Sequence, residues 1–226
     1  MKAFAQAMFD QLRHSDRDVT FHMRLADGVG VDCSCRDLLY VRPEEETLIR
    51  SCLANKQEPR ILDVACGIGR HSTFAHSVSL HARITLVETN QQLRDYCLSI
   101  IPGAVAYERF DDVPAHSRFD VAFLLGSGLG VFGSETATRH QLQRLFSLVA
   151  DDGCVLIETG NFATGSFYEA RYQIEYGGSV DGPFVWGYAT REWLAGELVS
   201  AGFQIISVTQ SSGAPTYFIF HAKKCA

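Results

Sequence analysis

Residues 60–72, RILDVACGIGRHS, combine an apolar run with one carboxylate and two glycines. Asp63 stands inside the run, and Gly67 and Gly69 follow it. A short apolar run closed by glycine is typical of a core strand that turns into a helix. Glycine at such a turn either permits a tight connection or lets the backbone lie against a ligand. The elements around the turn decide between these two interpretations.

The chain around this turn alternates between strand and helix patterns. Helices are predicted to begin at or just after these residues: Pro43, Arg70, Asn90, Ser134 and Thr190. Apolar strands are predicted between them, namely RILDV, RITLVE, AVAYE, FDVAFLL and CVLIE, with a turn at residues 151–153 before the last. This alternation predicts an α/β fold with a parallel sheet covered on both faces. The final segment, FQIISVTQSSGAPTYFIFHA, is expected to add an antiparallel strand at the edge.

Two segments depart from this alternation. Residues 1–55 are predicted to form an apolar helix, a hairpin and the helix that leads into the core. Residues 166–189 alternate with period two, which predicts a pair of inserted strands joined at residues 181–182. The first of these strands carries its tyrosines on one face: Tyr168, Tyr172 and Tyr176. We expect one domain over the whole chain, with both segments forming a cap on a core at residues 56–222.

Composition excludes several classes of function. With 226 residues, 46% of them hydrophobic, the chain can bury one large core. No apolar run is long enough to span a bilayer and the N-terminus has no signal-peptide core, so we expect a cytoplasmic protein without a membrane partner. A net charge of −6 argues against binding nucleic acid. Seven cysteines without a Cys-x-x-Cys pair predict reduced, packed thiols and no metal site, and only Cys33-Ser-Cys35 is worth checking for metal.

The segment DVACGIGR, residues 63–70, resembles motif I of the class I S-adenosylmethionine-dependent methyltransferases, in which an acid in the first strand precedes a glycine-rich turn. Ala65 stands at the first glycine position of that motif, where an alanine costs little if its φ is negative. A dinucleotide-binding fingerprint would instead need a glycine in place of Ser72 and no charge at Asp63. The later segments follow the family's order and spacing over residues 56–222.

The resemblance implies a Rossmann-like seven-stranded sheet and a binding site for S-adenosyl-L-methionine. The cofactor-binding residues that it implies are Asp63, Ala65, Cys66, Gly67, Gly69, Glu88, Thr89, Arg109, Phe110, Asp111, Leu125 and Gly126. Glu88 stands where the family carries an acid that accepts hydrogen bonds from both ribose hydroxyls, and a carboxylate can accept two charge-assisted bonds at once. The acids also have structural interpretations: Asp63 as a helix cap, Glu88 as an ordinary strand end and Asp111 as a turn residue.

The resemblance also implies a reaction, the in-line transfer of a methyl group from a sulfonium to a small molecule or short peptide. The glycine-rich segment 126–133 resembles that of small bacterial members of natural-product and peptide-modifying pathways, which suggests secondary metabolism. Holding the acceptor in line with the methyl group, in a site that excludes water, lowers the activation free energy by about 7–11 kcal/mol. A neutral amine needs no catalytic base, whereas an oxygen or carbon acceptor usually does. The candidate bases are His71, Glu158, Tyr168 and Tyr172.

Other interpretations remain open at this point. His71 could be an ordinary helix residue, and the tyrosine face could be core packing. The chain could also be a non-catalytic S-adenosylmethionine-binding or regulatory protein, or a nicotinamide-dependent oxidoreductase. Because the N-terminal and inserted aromatic segments leave the sheet at its ligand-binding end, we expect them to form a lid over an apolar or planar acceptor.

Overall fold

A computed structural model describes residues 2–25, 28–160, 166–212 and 216–225. The α-helices in these residues are α1 (Lys2–Arg13), α2 (Pro43–Leu53), α3 (Arg70–Val78), α4 (Gln91–Ile100), α5 (Glu135–Leu148) and α6 (Arg191–Ser200). The first strands are β1 (Thr20–Leu25), β2 (Gly30–Ser34), β3 (Arg60–Val64), β4 (Arg83–Val87), β5 (Val105–Tyr107) and β6 (Phe119–Leu124). The later strands are β7 (Val149–Gly160), β8 (Phe167–Tyr176), β9 (Ser179–Ala189), β10 (Phe203–Gln210) and β11 (Tyr217–Lys224). No helix in this part of the chain is both long and apolar enough to cross a membrane.

Seven strands form the main sheet, in the order β10-β11-β7-β6-β3-β4-β5. Strands β3 to β7 run parallel, and β11 is antiparallel to both of its neighbours. The prediction of a mostly parallel seven-stranded sheet with an antiparallel C-terminal strand is therefore confirmed. The chain builds outward from β3 to β5 and then crosses to β6 on the other side of β3. Open parallel sheets bind ligands at the carboxyl ends of the strands beside such a switch in order.

Helices cover both faces of the main sheet, as the alternating pattern predicts. One buried cluster lies against α5 and α6, and a second lies against α2, α3 and α4. Three of the predicted helix starts are N-capped by side chains: Asn90 accepts a backbone N–H at 2.9 Å, Ser134 at 3.2 Å and Thr190 at 3.3 Å. These caps fix where the helices leave the carboxyl ends of the strands.

The other four strands form an antiparallel sheet in the order β2-β1-β8-β9, which we name the cap sheet. The sequence predicts two separate hairpins here, but the structure joins them because β1 pairs with β8, with Met23 opposite Ile174. Helix α1 packs on the cap sheet through Met8. The same buried cluster includes Ile68, in the loop after β3, and Leu93 on α4. The cap sheet and the loop after β3 therefore share one apolar cluster.

The predicted turn at residues 181–182 is wrong. The chain reverses at Gly177 and Gly178, which adopt positive φ angles of 55° and 78° between β8 and β9. Asp181 instead lies buried within β9. Its carboxylate accepts hydrogen bonds from the backbone N–H groups of Lys2 and Phe4 at the start of α1. A residue type common in turns thus caps a helix that is distant in sequence.

The predicted turn at residues 151–153 is also wrong, since these residues belong to β7. Phe119 pairs with Val149, but Val121, two residues later, pairs with Cys154. The extra residues of β7 form an irregularity in the pairing, and the strand continues beyond it. A local pattern of Asp, Asp and Gly does not distinguish such an irregularity from a turn.

Candidate functional site

The turn after β3 places several residues in left-handed backbone conformations. Gly67 has a φ of 58° and Gly69 a φ of 74°. A Cβ added at Gly67 would meet nothing within 4 Å, whereas one at Gly69 would lie 3.0 Å from Sγ of Cys97. Gly67 therefore faces open space, and Gly69 permits close packing on α4. Ala65 has a φ of 57°, so the condition under which an alanine would cost little at this position is not met.

Two buried acids flank this turn at the ends of β3 and β4. Asp63 is 1% exposed and accepts a hydrogen bond of 2.7 Å from Oγ of Ser72. Glu88 is 7% exposed and accepts the backbone N–H of Gly67 at 3.0 Å and that of Asn90 at 2.8 Å. Burial raises the pKa of both carboxyls, although these hydrogen bonds partly offset it. Glu88 thus ties the glycine turn to the end of the neighbouring strand.

Cys66 and Thr89 lie beside these acids. Cys66 is buried, and its pKa is raised well above the usual value by a hydrogen bond with Cys97 and by burial. Thr89 is exposed, with its hydroxyl 3.4 Å from a carboxylate oxygen of Glu88. The structure therefore brings together the predicted residues of the first two strand ends, from Asp63 to Thr89.

The predicted residues after β5 differ in their environments. Arg109 and Asp111 are exposed, and Phe110 is buried with its ring centroid 5.6 Å from that of Phe132. Asp111 accepts a 3.0 Å hydrogen bond from the side-chain amide of Gln141 on α5. These residues form the next strand end along the same edge of the sheet, beside Glu88.

A buried charged cluster, which the sequence did not predict, lies at the same edge. Glu45 is fully buried at the start of α2, and its Oε1 lies 2.6 Å from Nη2 of Arg42 and 3.1 Å from Nη2 of Arg70. Nε2 of His71 is 3.2 Å from the same oxygen, though without hydrogen-bond geometry. Burial alone would raise the pKa of Glu45, but its proximity to His71, Arg70 and Arg42 holds that pKa well below its usual range. The N-terminal ends of α2 and α3 are thereby joined.

Glu158 joins this cluster from the end of β7. One carboxylate oxygen pairs with Arg42, and the other accepts the backbone N–H of Ser127 at 2.9 Å. Glu158 is 1% exposed, so both oxygens are committed within the protein. Tyr217 lies close by, and burial raises the pKa of its hydroxyl. The strand-end position of Glu158, like those of Asp63 and Glu88, is the sequence signal that could have identified this part of the cluster.

The glycine-rich loop after β6 packs between the core and the cap sheet. Gly126 has a φ of 61°, and a Cβ there would lie 3.3 Å from Nη2 of Arg70. A Cβ at Gly128 would lie 2.9 Å from the carbonyl oxygen of Val64, and one at Gly130 would lie 1.9 Å from Nε1 of Trp186. Leu125, predicted to bind the cofactor, is buried in the apolar cluster of the core. Glycine is needed in this loop chiefly because the backbone of β3 and the Trp186 ring of the cap sheet approach it too closely for a side chain.

The cap sheet presents an aromatic group next to this loop. The hydroxyl of Tyr172 donates to that of Tyr188 at 3.1 Å, and the two rings meet edge to face. Tyr168 is 47% exposed and stacks on Tyr188. Phe184 and Trp186 extend the group along β9. The aromatic group and the charged cluster thus lie on the two sides of the glycine-rich loop.

The candidate bases differ in what they can do chemically. Burial raises the pKa of Tyr172, so its hydroxyl is protonated at neutral pH and suits hydrogen bonding rather than proton removal. Glu158 is paired with Arg42, and His71 is buried beside Glu45. Tyr168 lies at the exposed end of the aromatic group. His71, Glu158 and Tyr172 are buried, and of the four candidates only Tyr168 is exposed. The described residues at this edge therefore offer mainly positioning groups.

Comparisons with known proteins identify solved structures that share this fold. No protein-family profile and no curated protein sequence matches the chain. Among solved structures, an S-adenosylmethionine-dependent methyltransferase from Bacteroides fragilis, in complex with S-adenosyl-L-homocysteine, is similar over 99% of this chain and 95% of its own, with a TM-score of 0.76 and 17% identity.

Two further similar structures are of enzymes whose names describe methyl transfer to nitrogen. The 1,6-didemethyltoxoflavin-N1-methyltransferase of Burkholderia thailandensis is similar over 81% of this chain and 78% of its own, with a TM-score of 0.61 and 17% identity. A sugar N-methyltransferase from Streptoalloteichus is similar over 81% of this chain and 87% of its own, with a TM-score of 0.58 and 16% identity. The fold is therefore that of the class I methyltransferases, as the motif resemblance predicts.

Proposed function

We propose that this protein is a cytoplasmic S-adenosyl-L-methionine-dependent methyltransferase that methylates a small molecule or short peptide in secondary metabolism. The observation that carries the proposal is the pairing of Glu88 with the Gly67 turn. A buried carboxylate at the end of β4 holds a backbone turn that faces open space. This is the arrangement that a ribose beside an extended methionine chain requires.

The residues present fit this cofactor. Oε2 of Glu88 accepts the backbone N–H of Gly67 and keeps a lone pair for a ribose hydroxyl. Oε1 accepts the backbone N–H of Asn90 and a long 3.4 Å bond from the Thr89 hydroxyl, which a second ribose hydroxyl would replace. Gly67 leaves room for the methionine portion of the cofactor. Phe110 and Asp111 would contact the adenine at the next strand end. Asp63 would lie near the methionine amine, with its charge oriented by Ser72. When bound, the cofactor supplies an activated methyl group on a positive sulfur.

The acceptor would lie between the glycine-rich loop and the cap sheet. Tyr172, Tyr188 and Trp186 provide an aromatic wall there, which suits an apolar or planar molecule and excludes water. Because three of the four candidate bases are buried and Tyr168 alone is exposed, the site favours an acceptor that needs no base. A neutral amine meets this condition. The nitrogen-directed names of two structural neighbours are in accord with it.

The two alternative functions are less well supported. In a nicotinamide-dependent oxidoreductase, position 72 would carry glycine for close helix packing, but Ser72 is buried there and bonded to Asp63. A non-catalytic binding protein would share the cofactor site and differ only in turnover. Cofactor binding and methyl transfer must therefore be measured separately.

Calorimetric titration tests the cofactor assignment. The wild-type protein should bind S-adenosylhomocysteine and not NAD. Glu88→Ala should lose about 1.5–3 kcal/mol of binding, roughly ten- to a hundredfold in affinity, because a buried acceptor for two hydroxyls is removed. Glu58→Ala is the matched control, since Glu58 is an exposed acid with a side chain 60% accessible. Unchanged affinity in folded Glu88→Ala would reject the assignment.

Transfer of label from S-adenosylmethionine tests catalysis. Incubation with a panel of primary and secondary amines, matched alcohols and an extract of the source cell should label an amine product. Binding of S-adenosylhomocysteine without any labelled product across the panel and the extract would favour the non-catalytic alternative. Labelling of alcohols alone would contradict the choice of nitrogen as acceptor.

A further inference from the structure

Three metal-ligating side chains meet in the core at a distance from the site described above. Cys52 comes from the last turn of α2, Cys154 from β7 and His221 from β11. Their ligand atoms all lie within 4.8 Å of one another. Both cysteines are buried, and His221 is half-buried. We propose that Cys52, Cys154 and His221 form a binding site for one zinc ion, with a water molecule as the fourth ligand.

The spacing of Cys52 and His221 matches that of two ligands in a tetrahedral zinc site. Zinc lies about 2.3 Å from a cysteine sulfur and about 2.0–2.1 Å from a histidine nitrogen, which places the two donor atoms about 3.6 Å apart at a tetrahedral angle. Sγ of Cys52 and Nε2 of His221 are 3.6 Å apart. This pair already has the spacing that the ion needs, and Sγ of Cys154 lies within 4.8 Å of both donor atoms.

Charge and ligand type also favour zinc. Two thiolates neutralise a divalent ion, so the complex carries no net charge into a largely apolar environment. Thiolate and imidazole together select zinc over magnesium or calcium, which prefer oxygen ligands. Binding releases the two thiol protons to solvent, which balances the charge of the incoming ion. The group of three is the one cluster of this kind found in the described ranges, and Cys33 and Cys35 do not belong to it.

The site is separate from the proposed methyl-transfer site. Cys154 and Glu158 are four residues apart on β7, or about 13 Å along a strand, and Glu158 lies at the end that faces the charged cluster. Cys52 and Arg42 are at opposite ends of α2. The ion would therefore fasten the C-terminal end of α2 to the main sheet. The N-terminal end of the same helix carries Glu45 into the charged cluster, so the ion and the cluster would hold opposite ends of α2.

Titration with Co²⁺ tests the site in the intact, chelator-treated protein. Wild-type protein should bind one Co²⁺ per chain and develop the near-ultraviolet charge-transfer absorption of two thiolate ligands, and Zn²⁺ should displace it stoichiometrically. Cys154→Ser should weaken binding at least tenfold and reduce the charge-transfer absorption. Cys35→Ser is the matched control, because Cys35 is an equally buried thiol in the cap sheet region.

Two results would overturn the proposal: wild-type protein without a stoichiometric cobalt spectrum, or an unchanged spectrum in Cys154→Ser. If Cys154→Ser does not fold, His221→Phe replaces it, since His221 is only half-buried. That variant should keep S-adenosylhomocysteine affinity and lose tight Co²⁺ binding. Zn²⁺ should raise the melting temperature of wild type and of Cys35→Ser but not of His221→Phe, and an equal shift in all three would also contradict the site.

Discussion

Ala65 adopts a left-handed conformation, with a φ of 57°, directly before the glycine turn. A residue with a Cβ loses roughly 1–2 kcal/mol there, whereas glycine does not. Glycine also makes the unfolded chain more flexible, which offsets part of this gain. Ala65→Gly should therefore raise the free energy of unfolding by about 0.5–1 kcal/mol, measured by urea denaturation.

Asn55 provides the control for this substitution. It also has a positive φ, 67°, but asparagine tolerates this conformation better than alanine does. Asn55→Gly should therefore stabilise the protein less than Ala65→Gly. A loss of stability in Ala65→Gly would mean that contacts of the alanine methyl group outweigh the strain. The sequence located this position, but no local pattern gave the sign of its φ.

Glu88 makes cofactor affinity depend on pH. Burial raises its pKa above the ordinary value in the folded protein. Ribose hydroxyls donate to the carboxylate, so below that pKa a proton must leave before the cofactor binds. Affinity for S-adenosylhomocysteine should be constant above the raised pKa and fall by up to tenfold per pH unit below it. Calorimetry at successively lower pH, starting from about pH 8, measures this fall, which should begin at a pH above the ordinary glutamate pKa of about 4.3.

Glu88→Gln separates this effect from acid unfolding. The variant should bind more weakly at neutral pH and show little further loss on acidification, because the amide does not titrate. Circular dichroism over the same range checks that the fold is retained. A fall in affinity of the same size in Glu88→Gln would assign the pH dependence to another group, of which buried Asp63 is the nearest candidate, since burial raises its pKa as well.

At the scale of elements, Asp181 stabilises α1 across a long sequence separation. Its carboxylate accepts the backbone N–H groups of Lys2 and Phe4, which are unpaired donors at the positive end of the helix dipole. Asp181→Ala should lower the free energy of unfolding by about 1–2 kcal/mol, as loss of an N-cap does. Urea denaturation measures this, with Glu169→Ala as an exposed control in the same sheet. Equal stability of the two variants would show that α1 docks through its apolar face alone.

Local patterns predicted the elements whose signals lie within a few residues. The helix starts at Asn90, Ser134 and Thr190 and the strand at Asp63 follow from residue types beside the elements themselves. The same patterns failed at Asp181, because its partners are 177 and 179 residues away. They also failed to predict that β1 pairs with β8, since strand pairing across the chain depends on tertiary contacts.

The candidate site divides in the same way. Asp63 and Glu88 end adjacent parallel strands, so their proximity follows from the strand order. The charged cluster does not, because Arg42 meets Glu158 across 116 residues of sequence. A pair of guanidinium groups among buried carboxylates can be recognised only once the helix N-termini and the end of β7 are brought together.

At the scale of the whole molecule, α1 connects the cap sheet to the glycine turn. The apolar cluster around α1 includes Ile68, between the two glycines, and Leu93 on α4. Phe9 also meets Tyr96 edge to face, with ring centroids 5.6 Å apart. Removal of residues 1–15 would test for a lid only if α1 stood apart from the core. Because α1 contacts the core beside the glycine turn, the truncation would disturb the cofactor turn as well. A test of the lid needs a contact that the cap sheet makes away from that turn.

Gly130 provides that contact. Trp186 of the cap sheet lies so close that an added Cβ would be 1.9 Å from its indole nitrogen, and the conflict is with a ring rather than a flexible side-chain end. Gly130→Ala should displace β9 and with it the aromatic wall around Tyr172 and Tyr188. Turnover of the amine found by label transfer should fall at least tenfold, while S-adenosylhomocysteine affinity stays within a few-fold of wild type. Tyr172→Ala should act in the same direction.

Gly196→Ala is the matched control, because a Cβ at Gly196 in α6 would meet nothing within 4 Å. It makes the same chemical change without a steric conflict, so both turnover and affinity should remain at wild-type levels. If Gly130→Ala lost cofactor affinity and turnover in equal measure, the glycine-rich loop would act on the cofactor turn rather than on the acceptor. If neither changed, the aromatic residues of the cap sheet would serve packing alone, and the acceptor would have to bind elsewhere along the carboxyl ends of the strands.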